Sequence, residues 1–580
     1  MVRWLCVFAL FQGTAPLSSA LATGLSSKDL FTGDLSIELD DETISPILAK
    51  SDEVDQIYNR LSLDQKVGQL LMIGFRGHTI DQGLNQLIKD LHPGGLIVFG
   101  RNIKTAPQLL RLNRSMRELS IEKSTVPPLI AIDQEGGTVS RIKMSPPQPS
   151  ALAIGRANSP EISEKVGYYT GRVLRAFGMN MNLAPVLDIA DPNRPSFLGT
   201  RSFSSSAAAV SEMSLQYALG LERAGIISTL KHFPGHGNES IDPHFNVPVI
   251  QDDLKTLTET RLKPFKHLIE KHSPPALMVA HMALPNVDPL ATAATYSQVL
   301  IKNLLRKKWN YDGLVITDDI DMQAAKTKND SSTGGLGQAP QAILAGADLV
   351  MVAWNRKTQY QAFRDIKQAV QKGLISESQF STSVKRVIAT KIKYRAFERS
   401  TSASMDQVRL ALRNPELKGV IDDVTKINIK QGMARATAST DSKPAKNPRV
   451  LKNSKILLFS KSDTFKKSFV NSSPKACCRP ASVFSLEDLA TFLNGNRNAL
   501  AVVHISGRAT ANWVDRIASH LRKQVVLVNS NSPALILSPE SYQKIVNVYT
   551  YHPQLGSLLA SEFFSEDQMT TPEPGDHYGH

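Results

Sequence analysis

The residues Lys231-His232-Phe233-Pro234-Gly235-His236-Gly237, followed by Asp242-Pro243-His244, gather three imidazoles, an ammonium and a carboxylate into one short stretch. An apolar run from Gly225 to Leu230 leads into them and reads as a buried strand, which Pro234 and Gly235 then stop with a turn. Asp242 and His244 stand two positions apart, close enough for the carboxylate to hold one ring nitrogen of the imidazole. The other nitrogen is then free to exchange a proton near neutral pH, which is general acid–base chemistry. The same stretch could be read as a zinc site built from His232, His236, Asp242 and His244. Its spacing fits no helical His-x-x-x-His arrangement and no thiolate lies nearby, so neither a metal nor a cofactor is expected.

A second apolar run, Leu314-Val315-Ile316-Thr317, ends abruptly in Asp318 and Asp319. Neighbours on a strand point to opposite faces, so these two carboxylates do not readily share one ion. Taken together, the two segments resemble the β-N-acetylglucosaminidases of glycoside hydrolase family 3. The resemblance implies Asp318 as nucleophile, His244 as acid/base and Asp242 as the residue that orients it. It extends over roughly residues 55 to 400, through the opening helix around Leu61–Leu70 and the loop Asp133-Gln134-Glu135-Gly136-Gly137. By the same resemblance Asp133, Arg141, Arg201, Lys231 and His232 would bind the sugar. One departure is Thr138, where the family commonly has arginine.

Such residues need elements to hold them. Eight short apolar runs recur with helical patterning between them: Gln69–Gly74, Gly95–Phe99, Pro128–Asp133, Met181–Ala184, Gly225–Lys231, Ala276–His281, Leu314–Asp318 and Asp348–Ala353. Strands alternating with helices predict parallel βαβ units, and eight such units predict a (β/α)8 barrel. Asp133, Lys231, His232, His281 and Asp318 fall at or near the C-terminal ends of these runs, the rim where such barrels carry their sites. His281 reads equally as a structural residue, and Asp188 and Asp191 read as braces for the rim.

The 580 residues exceed one ordinary barrel. Residues 1–22 carry Arg3, an apolar core and Ala20-Leu21-Ala22, the pattern of a secretory signal peptide, so export to the periplasm or medium is expected. Residues 23–52 read as an extension, 53–400 as the barrel, 401–452 as a partly helical linker, 453–569 as a smaller α/β domain and 570–580 as a disordered tail. Cys477 and Cys478 are adjacent, so no disulfide framework is expected.

The net charge of +14 reads first as a solvated surface. The basic residues lack the aromatic or glycine-rich context of a nucleic-acid binder, so no nucleic acid and no membrane span are expected. Attraction to an anionic cell wall suits an exported protein. The expected partner is a glycan bearing N-acetylglucosamine, either a peptidoglycan fragment or a chitin oligosaccharide. Rival readings are a β-glucosidase or β-xylosidase of the same family, and a barrel that binds cell wall without catalysis. The Asp242–His244 pair argues against the first, and Asp318, His244 and Asp242 together weigh against the second, since a binder has no need of all three.

Overall fold

The computed structural model describes residues 51–194, 196–237, 247–289, 293–325, 336–397, 404–435, 456–460, 462–473, 478–481, 486–494, 499–505, 508–517, 519–530, 544–547, 549 and 555–563. Asp242, His244, the signal-like stretch, the extension up to residue 50 and the tail lie outside them.

Ten strands occupy the first part of the chain. They are β1 Leu71–Gly74, β2 Gly95–Val98, β3 Leu129–Ile132, β4 Gln134–Gly136, β5 Val139–Ser140, β6 Met181–Asn182, β7 Ile227–Phe233, β8 Ala276–Val279, β9 Leu314–Thr317 and β10 Val350–Val352. All but the small antiparallel hairpin β4–β5 join one parallel sheet, ordered β10-β1-β2-β3-β6-β7-β8-β9. A parallel bridge between Ile316 and Leu349 brings β9 back to β10 and closes the barrel. Seven of its eight strands lie inside the apolar runs of the sequence, while β7 continues past Lys231 to Phe233.

The strands are apolar on both faces, yet they still sort their side chains with a period of two. Met72, Ile97, Leu129, Ala131, Met181, Ile227, Met278, Ile316 and Met351 form one buried cluster. Their strand neighbours, among them Ile73, Leu96, Val98, Ile130, Val279, Val315 and Val350, join the helices in another. The first set fills the barrel and the second seats its outer ring of helices. A capping box starts the helix Leu63–Gln69 that leads into β1: Ser62 Oγ accepts from Gln65 N–H, and the Gln65 side chain accepts from Ser62 N–H.

The second part is a five-stranded parallel sheet of β11 Ile456–Phe459, β12 Cys478–Ala481, β13 Leu500–Ile505, β14 Val525–Asn529 and β15 Lys544–Asn547, in the order β12-β11-β13-β14-β15. Both faces are covered, one by Phe465, Phe469, Leu555 and Leu559, the other by Leu489, Leu493 and Val514. Strand β12 was not evident as an apolar run, because it is an edge strand containing Arg479 and Pro480. Proline is tolerated at an edge, where its missing N–H leaves no ladder bond unmade. Cys478 in this strand is disulfide-bonded, contrary to the expectation of unbridged cysteines.

Residues 401–452, read as a partly helical linker, hold the helix Met405–Leu412 and a longer one, Pro415–Arg435. Leu417, Val420, Ile421 and Val424 of the longer helix join the barrel's outer core, while Ile429 joins the core of the second sheet. Burial on more than one side blurs the one-sided stripe that makes a helix legible. Among the described residues no helix is long and apolar enough to cross a membrane.

Candidate active site

Six of the eight residues singled out from the sequence are described, and all six lie at or beside the C-terminal rim of the barrel. Asp133 follows β3, and Arg141 follows the hairpin that continues from it. Gly136 makes that hairpin possible: its φ is +97°, and a Cβ there would stand 2.1 Å from the Pro149 carbonyl oxygen. Gln134 ties the loop down, its Oε1 accepting from the backbone N–H groups of Arg141 and Ile142, each at 2.9 Å. Arg201 ends the short turn Gly199–Arg201, Lys231 and His232 lie in β7, and Asp318 directly follows β9.

Glu135 is the anchor of this rim. Its carboxylate stands 2.7 Å from Lys231 Nζ and takes both Nε and Nη2 of Arg201, at 2.8 and 2.9 Å. Lys231 Nζ also donates to Asp133 Oδ1 at 2.8 Å, and Arg141 Nη2 approaches Asp133 Oδ2 at 3.8 Å. Burial alone would favour neutral Glu135, but the charges of Arg201 and Lys231 hold its carboxyl well below the ordinary range. Burial likewise opposes the Lys231 ammonium, and Asp133 and Glu135 more than reverse this. Glu135, Lys231 and Arg201 are therefore ionised at neutral pH. They present fixed donors and acceptors that need little reorganisation when a polar ligand arrives.

His232 links this cluster to a second carboxylate. Its Nδ1 lies 2.6 Å from Asp188 Oδ2, and its Nε2 lies 3.4 Å from Arg201 Nη2. With Nδ1–H donating to Asp188, Nε2 is left as an acceptor toward the guanidinium. The other Asp188 oxygen accepts the His236 backbone N–H at 2.7 Å. Burial opposes ionisation of Asp188, yet His232 and His236 lower its pKa to about 2.

Asp318 is only partly buried, and its Oδ1 accepts the Asp319 N–H at 2.8 Å. Desolvation is outweighed by His232, His281, the Asp319 N–H and Lys231, which together keep its pKa below the usual aspartate value. An accessible carboxylate held ionised at a strand end can act as a nucleophile or stabilise a developing positive charge. His281 is fully buried between Thr295 Oγ1 (2.8 Å from Nδ1) and the Asp319 carbonyl (3.1 Å from Nε2), which makes it a structural support for the loop that carries Asp318.

Glu135, Asp188 and His236 were not among the candidate site residues. Period-two alternation from Asp133 places Glu135 on the same side of the chain, a signal present in the sequence. Asp188 lies in a segment with no regular element, so its meeting with His232 depends on tertiary structure alone.

A closed parallel barrel with paired charges on its C-terminal rim defines the class as a (β/α)8-barrel enzyme. A family model described as the glycosyl hydrolase family 3 N terminal domain matches residues 62–390, and the chain belongs to glycoside hydrolase family 3. It is 29% identical to the beta-hexosaminidase A of Pseudoalteromonas piscicida over 398 residues, covering 61% of this chain and 64% of that protein. It is 32% identical to a beta-hexosaminidase of Photobacterium profundum over 300 residues, 51% of this chain and 86% of the relative. The solved glycoside hydrolase family 3 beta-N-acetylglucosaminidase of Paenibacillus sp. str. FPU-7 superposes with a TM-score of 0.73 at 27% identity, covering 88% of this chain and 97% of that one.

Proposed function

We propose that the protein is a retaining exo-β-N-acetylglucosaminidase acting on peptidoglycan fragments or chitin oligosaccharides. The observation that carries this reading is Asp318, an accessible carboxylate at the end of β9 that His232, His281, the Asp319 N–H and Lys231 keep below the usual aspartate pKa. In the first step Asp318 forms an ester bond to the anomeric carbon as the bond to the leaving oxygen breaks, and His244 gives its proton to that oxygen. In the second, His244 takes a proton from water, whose oxygen displaces Asp318 from the same carbon. Asp242 holds the imidazole in its working tautomer.

Asp133 accepts from ring hydroxyls and Lys231 donates to them, while Arg141 closes the open side of Asp133. Arg201 acts chiefly by fixing Glu135 and His232, since two of its nitrogens already meet the Glu135 carboxylate. Buried polar groups of this kind reject sugars that leave them unpaired. The leader-like residues 1–22 favour a periplasmic or secreted enzyme, and the charge of +14 favours association with an anionic wall.

The test is release of 4-nitrophenol from its β-N-acetylglucosaminide and its β-glucoside, with an Asp318→Asn control. Turnover of the N-acetyl substrate, lost in the control with folding intact, is the expected result. Preferential cleavage of the glucoside would overturn the sugar assignment, and an active Asp318→Asn enzyme would overturn the nucleophile.

A further inference from the structure

The polar half of the rim spans the ends of β3, β7 and β9. The ends of β10, β1 and β2 carry a different surface. Trp354, just after β10, is 55% exposed, an unusual state for so large an apolar ring. The other large apolar side chains described as exposed, Val249, Leu374 and Leu410, are aliphatic.

The Trp354 ring is held from behind. The Arg101 guanidinium carbon stands 3.7 Å from its centroid and 4.3 Å from that of Phe99. Arg101 is itself fixed, with Nε donating to the Phe75 carbonyl at 3.1 Å and Nη2 to the Ala353 carbonyl at 2.9 Å. The Trp354 backbone is pinned from the nucleophile's side. Asp319 Oδ1 accepts the Ala353 N–H at 2.9 Å, and Asp321 Oδ2 accepts those of Trp354 and Asn355 at 3.0 and 2.8 Å. The segment that carries Asp318 thus also sets the position of Trp354.

A rigid, exposed indole offers an apolar face with little entropy left to lose on binding. The C–H faces of a pyranose ring are the apolar part of a sugar, and they pack flat against such a face. Cation–π contact from Arg101 keeps the ring from folding away. We infer that Trp354 is the platform for the leaving-group sugar, the pyranose on the far side of the scissile bond, and therefore a specificity-determining residue. This rests on the glycosidase reading of the same rim and assigns its second subsite.

The test compares N-acetyl-β-glucosaminyl fluoride, whose leaving group has no ring, with N,N′-diacetylchitobiose, whose leaving group is a pyranose. The variants are Trp354→Ala and Trp354→Phe. We expect Trp354→Ala to lose about tenfold more kcat/KM on the disaccharide than on the fluoride, equivalent to about 1.4 kcal/mol. Trp354→Phe should recover most of that difference. Equal losses on both substrates would mean the ring is merely structural and would overturn the subsite. So would an undiminished disaccharide rate, or a wild-type enzyme that cleaves the fluoride but not the disaccharide. A wild-type enzyme inert toward both would bring down the glycosidase reading itself, and the subsite with it.

Discussion

Asp188 grips His232 at 2.6 Å through one carboxylate oxygen and the His236 backbone N–H at 2.7 Å through the other. One buried anion therefore fixes both the imidazole beside Arg201 and the turn that ends β7. Asp188→Asn keeps the shape, but an amide has only one acceptor oxygen to divide between the two. His232 should then lose its fixed tautomer and shift within the site. Misplacement on the ångström scale costs on the order of 10²-fold in rate. We expect kcat/KM on the 4-nitrophenyl substrate to fall about 10- to 100-fold with the circular dichroism spectrum unchanged. Full activity in this variant would show that His232 needs no such anchor.

The same corner should make the fold sensitive to acid. Burial lowers the His236 pKa to about 4, and the neighbouring imidazoles bring Asp188 to about 2. Unfolded histidine and aspartate titrate near 6.5 and 3.9, so in each case the native state binds fewer protons than the unfolded chain. Each contribution is complete above the unfolded pKa and disappears as pH falls through the folded one. The His236 part should vanish between about pH 6.5 and 4, and the Asp188 part between about 4 and 2. In His236→Asn, urea midpoints should fall less steeply as pH drops through the upper window, because the imidazole that titrates there is gone. Identical slopes for wild type and variant would refute the assignment.

The barrel and its rim were legible because its strands are short apolar runs, several of which end in a polar residue. Asp133 and Asp318 directly follow such strands, whereas Lys231 ends the apolar run but lies inside β7. What stayed hidden has physical causes. The sequence cannot distinguish Met72, inside the barrel, from Ile73, against the helices, because both are apolar. Glu135 resembled part of a sugar-binding loop, whereas its role as counter-ion to Lys231 and Arg201 requires three separate segments to meet. The helix Pro415–Arg435 was obscured because its apolar residues serve two cores.

At the opposite end of the barrel, Asp348 is fully buried just before β10 and receives Arg306 at 2.5 Å, Arg386 at 2.7 Å and the Val315 N–H at 2.9 Å. Asp348→Ala would leave two guanidinium groups competing for what remains, chiefly Asp312, which pairs with Arg386 at 2.9 Å. Breaking a buried pair in this way costs about 3–5 kcal/mol, because the surviving charge stays desolvated. The denaturant midpoint should drop accordingly, while the active-site rim, a strand length away, keeps its geometry. Measured per folded molecule, kcat/KM should therefore hold. A variant as stable as the wild type would show that water or local repacking satisfies both arginines.

Asp319 should act on stability with the opposite sign to His236 and Asp188. It is 5% exposed, and burial pushes its pKa up to about 7 against the Ala353 and Asp321 N–H groups, with Asp321 and Asp318 adding repulsion. Between about pH 4 and 7 the native state then holds a proton that the unfolded chain has released. Its contribution is present below the unfolded pKa and is lost as pH rises through the folded one. Asp319→Asn keeps an acceptor oxygen for both N–H groups but cannot ionise. Relative to wild type, the variant should gain stability from pH 5 to 8, on the order of a few kcal/mol. Because the His236 and Asp319 effects oppose each other in part of this range, the difference between variant and wild type is the informative quantity. Parallel pH profiles would mean that Asp319 ionises as easily in the fold as out of it. Its hold on Ala353, and through Asp321 on Trp354, would then carry no electrostatic penalty.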